Sequence, residues 1–358
     1  METLTVGILA DPGLPEKTAR SLVKALSTDL GSQAGSEVEW AVEVSQESLP
    51  VTAQGNVPLL EHAEQLRAGH GWDQVIYLTD LPRSQGRDIL LCEYSAAHRA
   101  ALVSLPALGV WRVGVKVRRL ITDLVPAAQD GANDRPNSFM EGAGPRLGIF
   151  RPTSLSQSGD ASYVLLPGHL NAVFLVAGMV LNNRPGRLLK ALAGCIAAAA
   201  ATGAFGIFYA SVWNMSDALH PSRLASISLV VISALSSWLI LHNRMWDGVR
   251  GSSVPRLALR DNIATIITVW LGTAMMYLLI WGLLFILGLA VIAADYLQSQ
   301  LGHPVSLLDY GHLSWLAASL GTLAGALGSN FDSDAAIREA TYSRREHQRR
   351  QLADDEQD

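Results

Sequence analysis

Cysteine is scarce in this chain, and nothing at its start indicates secretion. Only Cys92 and Cys195 occur among the 358 residues, far apart and in apolar surroundings, so we expect buried thiols rather than a disulfide framework. The N-terminus, METLTVGILADPG, has neither a basic segment nor a long apolar one, which argues against a signal peptide. The N-terminal half is therefore expected in the cytosol.

Motifs for catalysis and cofactor binding are also missing. The chain has no Walker A loop and no G-x-S-x-G turn, and Gly142, Gly144 and Gly148 have the wrong spacing for a dinucleotide-binding loop. The nine histidines are scattered, and the net charge of −5 gives no nucleic-acid signature. The sequence thus predicts no cofactor, no metal site and no nucleic-acid partner, and it favours a protein that is not an enzyme.

Charge is absent from long stretches of the C-terminal half. The segment Asn262–Leu297 carries no charge before Asp295, and three further apolar blocks accompany it. A bilayer core is crossed by about 20 apolar residues. The sequence therefore predicts an integral membrane protein with an all-α domain of four spans, at about residues 188–213, 222–242, 262–297 and 311–329.

Basic residues predict the orientation of these spans. They concentrate before the first span, between the second and third, and after the fourth, whereas the other two connectors hold only Arg223. With four spans, all three basic segments lie in the cytosol, as the positive-inside rule requires. The predicted location is the plasma membrane, with both termini cytosolic.

Residues 1–125 have the pattern of a soluble α/β domain. Apolar runs, alternating runs and helical spacings predict the order β-α-β-α-β-β-β-α, with the last helix at Pro106–Val125. The alternating start favours a parallel sheet with helices packed on it, and the late hairpin adds antiparallel edge strands.

The remaining segments are a linker and a tail. In the linker, residues 126–187, strand-like pieces at Leu147–Phe150 and Tyr163–Leu166 flank Ser154–Ser162, and an interfacial helix is expected at Gly168–Asn183. The transmembrane domain covers residues 188–330. Residues 331–358 form a tail that is first basic and then acidic.

Four aspartates are candidate ligands. Asp11 and Asp80 each follow a predicted strand, so both would lie at the crevice beyond the carboxyl ends of a parallel sheet, where a carboxylate pair can hold Mg²⁺. Alternatively, each caps a turn next to proline. Asp332 and Asp334 match the D-x-D of sugar-nucleotide transferases, or they cap a helix that begins near Ala335.

Polar and small residues form stripes on the predicted spans. Hydroxyl groups that line a wet pathway, or that bond across helix contacts, are expected at Ser226, Ser233, Ser237, Thr265 and Thr268. Close helix packing, within one chain or between copies, is expected at Ala317, Gly321, Gly325 and Gly328. No ionisable residue lies in the middle of a span, which disfavours a proton-coupled transporter.

The basic tail has two interpretations. Cations beside a membrane attract anionic lipid, each contributing roughly 1 kcal/mol. The same cations also satisfy the ordinary positive-inside topology. The residues concerned are Arg344, Arg345, Arg349 and Arg350.

The chain resembles two groups of proteins. Trp72-Asp73, Tyr77–Pro82, Gly302–Val305 and Leu323–Gly328 are similar to a group of uncharacterised four-span membrane proteins of high-GC Gram-positive bacteria, which implies no activity. The strands from Val75 to Leu105 look like the sheet of archaemetzincin-type proteases. The helix that follows them lacks the His-Glu-x-x-His motif, so that resemblance implies the fold and not the zinc chemistry.

Three functions are compatible with the sequence. The first is a homo-oligomeric membrane pore or scaffold with a cytosolic domain that binds a ligand or partner. The second is a membrane-tethered enzyme that uses the Asp11/Asp80 crevice. The third, less favoured, is a small-solute transporter.

Overall fold

The chain folds into two compact units. The structure, a computed structural model, describes residues 2–33, 38–51, 56–85, 88–129, 154–158, 160–246, 255–329 and 332–355. The first unit comprises Met1–Asn182, Ser253–Arg260 and Tyr342–Asp358, and the second comprises Asn183–Ser252 and Asp261–Thr341. The first unit therefore gathers the N-terminal half, a short connector and the C-terminal end of the chain.

The first unit is a mixed α/β domain, as the sequence predicts. Its strands are β1 (Glu2–Ala10), β2 (Val38–Ser45), β3 (Gln74–Thr79), β4 (Ser84–Gln85), β5 (Asp88–Ser95), β6 (Ala100–Ser104), β7 (Ser154–Ser158) and β8 (Ala161–Leu166). The helices between and after the strands are α1 (Leu14–Gln33), α2 (Leu59–His70), α3 (Val113–Gln129) and α4 (His169–Asn183).

The strands form one sheet in the order β2-β1-β3-β6-β5-β8-β7, with β4 on β5. Strands β2, β1, β3 and β6 pair in parallel, and β5, β8 and β7 continue the sheet antiparallel. Every residue of β3 is buried, as expected for a central parallel strand that is covered on both faces. The alternating βα order along the chain produces this parallel centre.

Three local predictions need correction or lie outside the described residues. Ser154–Ser158 is a strand paired with β8, whereas the sequence placed this stretch between two strands. The helix expected to begin at Pro106 starts at Val113, after a 3-10 turn at Pro106–Leu108, because Gly109 with φ 77° breaks the helix. Leu147–Phe150 lies outside the described residues.

The core under one face of the sheet explains a glycine in β1. Leu59, Ala63 and Leu66 of α2 pack in one buried cluster with Tyr77 and Trp72. The Trp72 indole lies against Gly7, where an added Cβ would come within 1.9 Å of the ring. Glycine at this point of β1 therefore makes room for the indole.

The second unit is helical. Its helices are α5 (Leu188–Ala191), α6 (Ala193–Gly206), α7 (Ala210–Ala218), α8 (Pro221–His242), α9 (Pro255–Val291, whose first turns belong to the first unit), α10 (Ala294–Leu301), α11 (Leu307–Gly328) and α12 (Asp334–Thr341). The chain then ends in α13 (Arg344–Asp355), which belongs to the first unit.

The predicted spans are confirmed in part. Within the described residues, Pro221–His242 and Ala258–Val291 are long and apolar enough to cross a membrane. The segment His169–Ala191 with Ala193–Gly206 passes the same test only as a pair bent by 59°. The first predicted span is thus broken into α5, α6 and α7, and α11, which lies within the described residues, does not pass this test of length and composition.

Small residues bring α6 and α11 together within the second unit. A Cβ added at Gly321 would lie 2.3 Å from the carbonyl oxygen of Ala199, and one at Gly325 would lie 3.0 Å from that of Cys195. Gly328 likewise faces Gly194. The two backbones are therefore in direct contact along this face, the arrangement that small residues permit in membrane helices.

We expect Gly7→Ala to lower the free energy of unfolding of the first unit by about 1–3 kcal/mol, since the new methyl group overlaps the Trp72 ring. The matched control is Gly31→Ala in α1, where no atom lies within 4 Å of the added Cβ; it should raise stability by about 0.5–1 kcal/mol. Thermal unfolding of the full chain in detergent measures both. Equal effects of the two substitutions would contradict the packing described for β1.

Candidate functional site

Asp11 and Asp80 lie together at the carboxyl edge of the parallel sheet. They follow β1 and β3, which are neighbours in register, with Leu9 opposite Tyr77 and Ala10 opposite Leu78. The backbone N–H of Asp11 donates to the carbonyl of Leu78 at 3.0 Å, which extends the pairing to the crevice. Asp11 is fully buried and Asp80 is 5% exposed. The crevice is therefore formed but closed to solvent.

The C-terminal end of the chain fills this crevice. The guanidinium of Arg345, in α13, lies with Nε 3.0 Å from Oδ1 of Asp11, an ion pair in which Nε is not aligned as a hydrogen bond. Nη2 of Arg345 donates to the carbonyl of Leu49, and Nη1 donates to Gln348 Oε1 at 2.7 Å. Arg345 is 3% exposed, so its charge is held inside the first unit by Asp11 and a backbone carbonyl.

The two carboxyl groups do not share one protonation state. Burial raises the pKa of Asp80 well above its usual value, and the nearby charge of Asp11 raises it further. Burial also raises the pKa of Asp11, but the Arg345 guanidinium and the hydroxyl groups of Thr79 and Tyr77 oppose that shift. Because adjacent buried carboxylates cannot both ionise at low cost, Asp80 holds the proton and Asp11 holds the charge.

A second ionic group anchors α13. Glu346, 4% exposed, accepts hydrogen bonds from Arg349 and from Nε of Arg350 at 2.9 Å. Burial opposes its ionisation, yet Arg349 and Arg350 hold the pKa of Glu346 below its usual value. The Arg350 guanidinium also lies 4.2 Å from the centre of the Tyr342 ring. Burial of Tyr342 and Arg350 shows that α13 is docked rather than projecting.

The crevice retains unused acceptors. Among the described residues, Oδ2 of Asp11 and Oδ1 of Asp80 are buried and have no hydrogen-bond partner. A buried polar atom without a partner costs about 1–3 kcal/mol, so such atoms mark sites that bind a further group. Both oxygens belong to the crevice that Arg345 occupies, so Arg345 does not satisfy every acceptor there.

The predicted polar stripe is divided among several roles. Ser226 and Ser237 donate to carbonyl groups of their own helix, and Ser233 accepts from Trp270 Nε1 at 3.3 Å. Thr265 and Thr268 are buried, and Thr268 accepts from Asn183 at 3.2 Å. These contacts do not test whether a wet pathway exists.

Sequence reasoning missed a hydroxyl cluster between α8, α9 and α11. The Tyr277 hydroxyl lies 2.9 Å from Ser228 Oγ and 2.8 Å from Ser319 Oγ, and Trp315 Nε1 donates to Ser228 Oγ. Each polar group finds a partner inside the second unit. The cluster joins three helices that are distant in sequence, so periodicity within one helix gives no signal for it.

The stretch from Asp332 to Asp334 supplies helix caps. The Asp332 carboxylate accepts from the backbone N–H groups of Gly194 at 2.7 Å and Cys195 at 3.0 Å, at the start of α6. Ser333 Oγ caps α12 by accepting from Ala336 N–H. The cap of the helix near Ala335 therefore comes from Ser333, between the two aspartates, whereas Asp332 caps a helix 138 residues earlier in the chain.

The expected lipid contact of the tail stays a prediction. Arg345 and Arg350 are buried in ion pairs of the first unit, and Arg349 is partly buried beside Glu346. The basic run in the sequence gives no sign of this docking, since its acidic partner Asp11 is 334 residues away. Tyr77, whose hydroxyl donates to Asp11, was likewise missed because it looks like an ordinary core residue.

No protein-family model, curated protein or solved structure matches this chain. The two resemblances drawn from the sequence therefore stay expectations, and function has to be inferred from the geometry of the site.

We expect Asp11→Asn and Asp80→Asn to have opposite effects. Asp11→Asn removes the counter-charge of buried Arg345 and should cost about 3 kcal/mol of stability. Asp80→Asn replaces a protonated carboxyl with a neutral amide, so it should preserve the docking of α13.

The pH dependence of stability distinguishes Asp80→Asn from the wild type. The folded pKa of Asp80 is raised, so its stabilising contribution is complete below about pH 4 and is lost as the pH rises through the folded value. Asp80→Asn removes this loss and should be more stable than the wild type at pH 8, by on the order of 1 kcal/mol, with no advantage near pH 4. Thermal unfolding of the full chain in detergent measures this, with exposed Asp160→Asn as the control. Equal losses in both variants would refute the assignment of the proton.

Proposed function

We propose that the protein is a multi-pass membrane scaffold whose cytosolic α/β unit binds a cationic group of a ligand or partner in the Asp11/Asp80 crevice. In the state described, Arg345 of the chain's own C-terminal segment occupies that crevice. The observation that carries the proposal is the buried pair of carboxyl groups, with two unpartnered oxygens, at the edge where parallel sheets bind ligands. The C-terminal segment then competes with the external ligand.

The composition of the first unit supports four crossings. Three separate segments of the chain belong to this one unit and so lie on one side of a membrane. They are Met1–Asn182, Ser253–Arg260 and Tyr342–Asp358. Between each pair of these segments the number of crossings must be even. Since α8 and α9 each provide one crossing, the broken stretch α5–α7 and helix α11 provide the other two. Both termini are then cytosolic by the charge bias of the connectors.

The role proposed for the membrane part is that of a scaffold or pore built of several copies. Gly321 and Gly325 contact α6 of the same chain, so the small-residue face does not require a second copy. Homo-oligomer formation and a pore therefore stay predictions. The mass of the detergent-solubilised particle tests them: a multiple of the chain mass supports a scaffold built of several copies, and a monomer removes the reason for proposing a pore.

Anionic lipid remains a proposed partner. The tail cations Arg345 and Arg350 are engaged in the first unit in this state. In the second unit, Arg184, Arg187 and Lys190 line an open cavity of about 710 Å³ together with Glu339, whose carboxylate lies 3.9 Å from the Arg187 guanidinium. Basic pockets between membrane helices suit phospholipid head groups, so lipid binding does not depend on release of the tail.

A membrane-tethered enzyme is the alternative. One observation favours it, because neighbouring carboxyl groups whose environments separate their protonation states are typical of acid–base sites. Catalysis would require α13 to leave, since both groups are buried while Arg345 is in place.

Removal of the Arg345 side chain tests the proposal. In full-length Arg345→Ala in detergent, we expect hydrogen exchange of residues 342–352 to accelerate at least tenfold and Mn²⁺, a probe for the crevice, to bind one per chain. Gln351→Ala is the matched control, because Gln351 is exposed on the same helix.

Adding Asp11→Asn to Arg345→Ala should abolish the Mn²⁺ binding. If residues 342–352 stay protected and no Mn²⁺ binds in Arg345→Ala, the C-terminal segment is a permanent part of the fold and the proposal fails. Turnover of a phosphate ester or peptide by Arg345→Ala, lost again with Asp11→Asn, would favour the enzyme.

A further inference from the structure

Three side chains of the second unit converge near the end of α7 and the start of α11. Asp217 lies in the last turn of α7, His303 lies in the connector between α10 and α11, and Asp309 lies in the first turn of α11. One potential ligand atom from each lies within 4.8 Å of the others. His303 Nε2 is 3.1 Å from Asp217 Oδ1.

The backbone fixes the histidine ring in a ligating orientation. Nδ1 of His303 lies 3.0 Å from the carbonyl oxygen of Pro304, so Nδ1–H donates to that oxygen, and Nε2, which lies 3.1 Å from Asp217 Oδ1, is the ring nitrogen that would give up its proton to a metal. Ligating histidines typically have such a second-nitrogen bond, which sets the tautomer and the ring orientation. Gly302, with φ 77°, ends α10 and turns the chain so that His303 reaches Asp217.

Asp309 is held in place by the cap of α11. Asp309 Oδ2 accepts from Ser306 N–H at 2.6 Å, which is one bond of the capping box, and also from Ser306 Oγ at 2.9 Å. The carboxylate is therefore oriented without its second oxygen. Asp309 and Asp217 also line a cavity of about 10 Å³ together with His312, one turn further along α11. That volume is close to the space of one water molecule or one bare cation.

We propose that Asp217, His303 and Asp309 bind a divalent cation of the Zn²⁺ class, with His312 beside the site. Two carboxylates balance the charge of the dication, and a mixed imidazole–carboxylate set favours Zn²⁺ or Co²⁺ over Mg²⁺ and Ca²⁺, which prefer oxygen alone. Bonds of about 2.1 Å in a tetrahedral site place ligand atoms about 3.4 Å apart, so small side-chain rotations complete the site. The ion would tie α7 to α11 through the connector.

Metal content of the full-length protein in detergent tests this proposal. After removal of metal with a chelator, we expect added Zn²⁺ to bind at one ion per chain. Co²⁺ added in its place should show the visible absorption of a tetrahedral or five-coordinate site, and Zn²⁺ should displace it. His303→Gln and Asp217→Asn should each weaken binding at least about tenfold. Ca²⁺ should not compete.

The control is His220→Asn. His220 lies in the neighbouring connector and accepts from Ser222 N–H as the cap of α8, a role that asparagine also fills. This variant should keep the Zn²⁺ affinity of the wild type. Unchanged elution and unchanged thermal unfolding without metal show that His303→Gln and Asp217→Asn are folded.

Two results would overturn the proposal: no Zn²⁺ on the wild type at 100-fold excess, or equal affinity in the wild type and His303→Gln. In either case the three side chains are only an ion pair and a helix cap. The measurement is made in detergent and does not depend on the crevice, on α13 or on the number of crossings, so it is independent of the function proposed above.

Discussion

The ion pair between Arg345 and Asp11 is the constraint on which the architecture depends. It joins the first turn after the first strand to the last helix of the chain, and it is buried, so neither charge can be left alone without a large cost. The pair therefore joins two segments that are far apart in the chain within one folded unit.

The same pair settles which carboxyl group of the crevice is charged. Asp11 faces the guanidinium and two hydroxyl groups, while Asp80 meets Ser343, Asp11 and Glu346, of which two are acidic. The difference arises from what each side chain touches, since their positions after parallel strands are equivalent. A site with one fixed charge and one proton binds a single cationic group better than it binds two.

The sequence predicted what depends on local pattern. Apolar runs located β1 and β3, and the rule that ligands gather at strand carboxyl ends placed Asp11 beside Asp80 before any geometry was known. It did not predict Arg345 in the crevice, because the basic run of the tail has the composition of a membrane-side segment. Nor did it predict the break at Leu192, where φ of −104° interrupts an otherwise uniform apolar block, or the convergence of Asp217 with His303 across two connectors.

The cap that Asp332 provides for α6 has a consequence for biosynthesis. The backbone N–H groups of Gly194 and Cys195 donate to a carboxylate that lies 138 residues further along the chain from Gly194. While the ribosome is still translating, the beginning of α6 has no such acceptor, and its small-residue face has no α11 to contact. The cap of α6 and its contact with α11 are therefore completed only after Asp332 has been synthesised, so this part of the second unit assembles late in translation.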